Sequence, residues 1–149
     1  MKYIETQIGW AFLIPFTLLV IWINIANFFQ LSSSPVTNIE TIVMSISILI
    51  IGLLFYKMKT VIDNENILIV FGIGLIRKKV KLNSISNVTK VRNKWYNGLG
   101  IRMIRNGWLY NIHGLDAVEL KYKNCNSVLR IGTGNPKEIS NFIEKTINK

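Results

Sequence analysis

Residues 9–29 read GWAFLIPFTLLVIWINIANFF, and no charged side chain falls between Glu5 and Glu40. The run of 21 residues matches the roughly 20 that a helix needs to cross a hydrocarbon core of about 30 Å. A second apolar run, TIVMSISILIIGLLFY over residues 41–56, follows an uncharged loop. Its 16 residues give about 24 Å as a helix, slightly short for a span. Ile39 extends it at one end, and Lys57 and Lys59 are placed to snorkel at the other. The expected anchor is a transmembrane helical hairpin within residues 1–58, with spans over about 8–29 and 39–56.

Two other readings compete for the first run. A cleaved signal peptide would have an apolar segment of about 7–15 residues and a small-residue cleavage site, but this run is longer and no Ala-x-Ala follows. A soluble buried hairpin would burden a domain of 93 residues with apolar surface it cannot cover. Within the spans, Pro15 is tolerable where neighbours satisfy the freed carbonyl. Asn24 and Asn27 suit helix-to-helix bonding, to Ser45 or Ser47, or the interface. Ser45, Ser47 and Gly52 are small enough for close helix contact, which leaves a homo-oligomer open, although the spans hold no Gly-x-x-x-Gly.

The charge distribution divides the chain. Residues 1–56 carry Lys2, Glu5 and Glu40, a net of −1, whereas residues 57–149 carry 17 Lys and Arg against 6 Asp and Glu, a net of +11. The basic part therefore expects an anionic neighbour. The loop over residues 30–40 has no Lys or Arg, while Lys2 precedes the hairpin and Lys57 and Lys59 follow it. Positive charge stays on the cytoplasmic side, so the expectation is a multi-pass protein of the cytoplasmic (inner) membrane with both termini cytoplasmic. The single Cys125 excludes an internal disulfide.

From Thr60 the apolar runs shorten and turn residues recur at intervals typical of antiparallel β structure. Val61-Ile62 leads into the turn cluster Asp63–Asn66. Strands are expected over 67–71, 76–82, 87–92, 101–105, 108–112, 117–122 and 127–132, with Asn106-Gly107 as the strongest hairpin signal. Asn135-Pro136-Lys137-Glu138 then carries a helix start, and Ile139, Phe142, Ile143 and Ile147 fall on one helical face. The fold class is α+β: an N-terminal hairpin, then about seven antiparallel strands in residues 59–149 closed by a C-terminal helix.

The stretches FGIGLIRKK (71–79), GWLYNIHGLDAVE (107–119) and RIGTGNP (130–136) resemble bacterial pleckstrin-homology (PH)-like membrane proteins, which carry two spanning helices before such a domain. The resemblance implies a PH-like β-sandwich or barrel and a membrane setting, with no activity or ligand attached.

Strand alternation places Arg77, Lys79 and Lys81 on one face, about 6–7 Å apart, and Ile76, Lys78, Val80 and Leu82 on the other. Such a row is either a contact for anionic lipid headgroups or an acidic partner, or a solvated edge that discourages aggregation. Lys90, Arg92 and Lys94 form a second row running into Trp95-Tyr96, which either contact a ligand or pack a loop. Arg102 and Arg105 differ in face from one another, and Arg130 either braces the sheet or lines a pocket. Nucleic acid is not an expected partner, since no recognition motif occurs. His113, the lone histidine, lies at a turn and lacks a nucleophile or clustered ligands. Gly72-x-Gly74 is a β-turn, since no helix follows to make a phosphate loop.

The leading expectation is a non-enzymatic, membrane-anchored binding or scaffolding module, without cofactor or metal, presenting a basic sheet face to anionic lipid or to another membrane protein. The alternative is an enzyme or transport-complex component with a site between hairpin and domain, drawing on Asn24, Asn27, Arg77 and His113.

Overall fold

The computed structural model describes residues 2–31 and 36–147. The chain runs β1 (Tyr3–Ile8), α1 (Trp10–Phe28), α2 (Asn38–Phe55), β2 (Lys57–Ile62), β3 (Asn66–Phe71), β4 (Ile76–Lys81), β5 (Ile85–Arg92), β6 (Gly100–Ile104), β7 (Gly107–Asn111), β8 (Asp116–Tyr122), β9 (Val128–Gly132) and α3 (Pro136–Ile147). It is an α+β protein with a four-stranded sheet, β1-β2-β3-β4, and a five-stranded sheet, β5-β8-β9-β7-β6.

Both α1 and α2 are long and apolar enough to cross a membrane, at about 27–28 Å each. They run antiparallel, with most large side chains outward. Asn24 donates to Ser45 Oγ at 3.0 Å across the pair, as the sequence suggested, whereas Asn27 donates to Asn38 Oδ1 at 2.9 Å. Thr37 and Glu40 form a reciprocal capping box that supplies the first turn of α2 with acceptors and explains a carboxylate at this helix start. The middle of the connecting loop, residues 32–35, lies outside the described residues.

The strand β1 has no counterpart in the expectations drawn from the sequence, which left residues 1–58 to the hairpin. Tyr3–Ile8 pairs antiparallel with β2, from Tyr3↔Ile62 to Ile8↔Lys57. The ladder continues into the helices, because Gly9 N–H donates to the Tyr56 carbonyl at 2.8 Å. The helical hairpin is thus the loop of a β-hairpin. Gly9 is needed there: a Cβ on it would lie 2.5 Å from the Phe55 carbonyl oxygen and 2.9 Å from Ile112. Lys57 and Lys59, which follow the second span, are the first and third residues of β2.

The count of about seven antiparallel strands is also corrected. Eight strands, β2 to β9, form among the described residues of that part of the chain, with β1 as a ninth outside it, and β7 pairs parallel with β9. The expected hairpin at Asn106-Gly107 is present, but its two-residue turn is Arg105-Asn106, with Ile104 opposite Gly107. Gly107 serves the parallel neighbour instead, since a Cβ there would lie 1.8 Å from the Val128 carbonyl oxygen. Pro136 opens α3 as expected, and Ile139 and Ile143 are fully buried.

Both sheets and α3 share one core, including Met58, Ile62, Ile67, Ile69 and Phe71 from the first sheet and Val118, Leu120, Leu129 and Ile131 from the second. The hairpin enters it. Phe12 stacks on Phe55 with centroids 5.5 Å apart, Phe55 meets Phe71 at 6.0 Å, and Phe71 meets Tyr110 at 6.2 Å. This aromatic chain joins the first helix to the second sheet without a linker. Each such contact adds about 0.5–1.5 kcal/mol beyond area burial.

A partly buried polar clasp holds β1 in place. Glu5 accepts from Thr133 Oγ1 at 2.7 Å and Tyr3 OH at 3.2 Å through one oxygen, and from Gly134 N–H at 2.8 Å and Gln7 Nε2 at 3.0 Å through the other. The carboxylate thereby ties the first strand to the connection between β9 and α3. Burial, then the neighbouring Glu5 charge, raises the Tyr3 pKa well above its ordinary value.

Candidate anion-binding site

Two basic surfaces emerge, one on each sheet. On the first, β4 forms one edge and β1 the other. Ile76 and Val80 turn toward the core, and Arg77, Lys79 and Lys81 are exposed on the outer face, as alternation predicts. Lys78 faces the other way but remains exposed because β4 is an edge. Across the outer face, Thr6, Lys59, Val70 and Arg77 form one register row, and Ile4, Val61, Leu68 and Lys79 the next. The cations therefore border an apolar strip. Near the hairpin this face deepens into a concavity of about 550 Å³ lined by Tyr56, Lys57, Lys59, Leu68, Ile73 and Arg77.

The second surface is a basin of about 780 Å³ on the five-stranded sheet, lined by Arg92, Lys94, Tyr96, Arg102, Arg105, Glu119 and Arg130. Five cations face one carboxylate. That carboxylate is already engaged: Arg130 Nε donates to Glu119 Oε2 at 2.7 Å, with both side chains about three-quarters buried. Arg130 Nη1 also reaches Asn93 Oδ1 at 3.4 Å, while Asn93 Nδ2 is buried without a partner. Arg130 and Glu119 are register partners across β8 and β9, which fixes this pair to the sheet.

The wall of the basin is the connection from β5 to β6. Gly98, at φ +67°, lets the chain turn over Arg102, whose guanidinium would lie 2.9 Å from a Cβ at that position. Arg102 Nε in turn donates to the Leu99 carbonyl at 3.1 Å. The Lys94 ammonium lies 5.5 Å from the Tyr96 ring centroid, and its hydrogen bond to Tyr96 raises its pKa above the ordinary lysine value. Trp95 is 81% exposed and Tyr96 60%, so neither fills the core.

Of the second row expected from sequence, Arg92 and Lys94 line the basin and Lys90 does not. Lys90 is paired with Val118, a residue of the core-facing row, and is exposed at the β5 edge. Arg102 and Arg105 converge despite their different faces, because Arg105 belongs to the turn and not to the strand. The sequence leaves two places open for Arg130; its neighbours Leu129 and Ile131 are buried, which turns it to the outer face.

The residues of the alternative site are not brought together. Asn24 and Asn27 are occupied by bonds between the helices, Asn27 at the end away from the domain. Arg77 lies on the first sheet, and His113 is exposed in the turn between β7 and β8, which Asn111 closes by donating to the Gly114 carbonyl. No group of three or more His, Cys, Asp or Glu suited to a metal occurs among the described residues. Comparison with protein-family models and with curated proteins finds no match for the chain.

Proposed function

We propose that this protein is a membrane-anchored, non-enzymatic binding module that presents the basin on the five-stranded sheet to an anionic group of a partner at the membrane surface. The observation that carries the reading is the gathering of Arg92, Lys94, Arg102, Arg105 and Arg130 around Glu119, which Arg130 already pairs, with Arg92 also 4.0 Å from Asp116. Arginines braced in this way offer fixed forks of donors for carboxylate or phosphate. The hairpin anchors the domain, both termini lie on the cytoplasmic side, and the domain is of PH-like type. Support for that type is the body of two sheets closed by a C-terminal helix; the parallel β7–β9 pairing and the strand β1 are departures from a purely antiparallel plan.

The test uses the intact chain in its own membrane, with a photo-crosslinking residue in place of Met103, which is 78% exposed on the basin wall. A discrete protein adduct is expected, and Arg102→Glu with Arg105→Glu should abolish it while protein level holds. Adducts that persist in the double variant, or none from Met103 while a probe at Lys79 crosslinks a protein, would move the binding face away from the basin.

A further inference from the structure

The turn between β3 and β4, residues 72–75, stands beside the end of α2. Gly72 N–H donates to the Lys57 carbonyl at 2.8 Å. A Cβ on Gly72 would lie 2.2 Å from the Leu53 oxygen and 2.5 Å from the Leu54 oxygen. At 1.5 Å of rise per residue, those carbonyls sit about 3–5 Å farther along the helix than Tyr56, toward the interior of the span. The turn is therefore level with the last apolar turn of the helix.

Its composition fits that depth. Ile73 is 59% exposed and Leu75 73%, either side of Gly74 at φ +96°. The turns at the far ends of the strands are polar instead: Asp63, Asn64 and Glu65 between β2 and β3, and Arg105 and Asn106 between β6 and β7. Since β2 starts at the helix and runs away from it, those polar turns mark the end in water. The connection from β5 into Gly100, where an added Cβ would lie 3.8 Å from the Phe12 ring, again carries exposed aromatics, Trp95 and Tyr96. Large exposed apolar side chains thus gather where the domain meets the hairpin. Cations stand just behind them. Lys57, Lys59 and Arg77 share the concavity with Ile73, and Arg77 Nε is tied to the Gly74 carbonyl. An apolar tip with a basic collar is the arrangement that interfacial membrane binding uses.

We infer that the β3–β4 turn is a third membrane element, in which Ile73 and Leu75 insert into the leaflet beside α2 while Lys57, Lys59 and Arg77 hold the phosphates of its anionic lipids. This rests on the reading that the hairpin spans a bilayer. It goes beyond anchorage, because three points of attachment fix the tilt of the domain.

The test labels single cysteines on the intact chain in a Cys125→Ser background, at Ile73, Leu75, Asn106 and Ile50, with an environment-sensitive fluorophore. The protein is placed in phosphatidylcholine vesicles with and without phosphatidylglycerol. Labels at 73 and 75 should be quenched by lipid-borne nitroxide and shielded several-fold from iodide, with the label at 106 showing the reverse. Quenching at 73 should rise with phosphatidylglycerol, and Lys57→Gln, Lys59→Gln and Arg77→Gln together should flatten that rise. Iodide access at 73 and 75 equal to that at 106, while the label at 50 is lipid-quenched, overturns the insertion and leaves the anchor standing. Water access at 50 as well would overturn both. A rise that survives in the triple variant would remove the cations from the proposal.

Discussion

In the helical hairpin the large apolar side chains face outward, as Leu18 at 60%, Trp22 at 62% and Ile42 at 56% exposure illustrate, whereas in the β domain Ile62, Ile67, Ile69 and Leu120 are fully buried. The same residue types are exposed in one part of the chain and buried in the other. Water drives apolar area inward at about 25 cal/mol per Å², but lipid would offer no such drive, so helices long and apolar enough to cross a bilayer would need no interior of their own there. What the contrast teaches is where the two regimes meet. The meeting line does not fall between one end of the chain and the other; it crosses at Gly9 and at Tyr56, with β structure on both flanks of the hairpin.

The strongest way to break this contrast is to cut it in the wrong place and then in the right one. A fragment of residues 59–149 lacks β1 and the first two residues of β2, and is expected to lose cooperative thermal unfolding and near-ultraviolet dichroism altogether. Replacing residues 9–56 by Asn-Gly instead joins Ile8 to Lys57, which are already register partners, through a two-residue turn. That chain is expected to be soluble and cooperatively folded. If the fragment folds as well as the rejoined chain, β1 is dispensable.

Next in size is Gly72→Ala, which places a Cβ at φ +54° against two helix carbonyls. Left-handed backbone and overlap together predict a loss of about 3–4 kcal/mol, read as a fall in the unfolding midpoint of the purified protein. Glu5→Ala should cost about 2 kcal/mol by leaving the Thr133, Gly134 and Gln7 donors without their acceptor. Its signature is early hydrogen exchange in β1 relative to β3.

The smallest effect is one of pH. Burial raises the pKa of Tyr110 and Tyr122, and burial with the Glu5 charge raises that of Tyr3. The folded state therefore favours the neutral phenols. Their contribution is fully present below the ordinary value of 10.0 and is lost as pH rises through the higher folded values. Stability should decline above about pH 10, and Tyr3→Phe should soften the decline.

The hairpin was legible because a long window without charge has few other readings, and the Asn24 to Ser45 bond was within reach of the same argument. The strand β1 was not, because YIETQI, residues 3–8, is short and its partner lies beyond both helices. Lys57 and Lys59 follow the apolar run, where cations suit snorkelling, and they stand on the outer face of β2, which the apolar run gives no sign of. The basin was half legible. Arg92 and Lys94 follow from local spacing, but Arg102, Arg105 and Arg130 converge with them only because β9 inserts between β8 and β7, a parallel pairing that leaves no local mark.

The β1–β2 ladder has a consequence for how the protein is made. The first strand leaves the ribosome before either helix and stays unpaired until the second helix has been synthesised and β2 emerges. With the hairpin in a bilayer, the two strands can meet only if both helices have crossed. A chain that inserts one helix and leaves the other outside strands β1 and β2 on opposite sides of the membrane. The sheet then lacks its edge, Glu5 has no loop to hold, and the core stays open to water and to proteases. For a hairpin that spans a bilayer, closure of the domain would in this sense be a checkpoint on membrane topology, built into the order in which the chain is read.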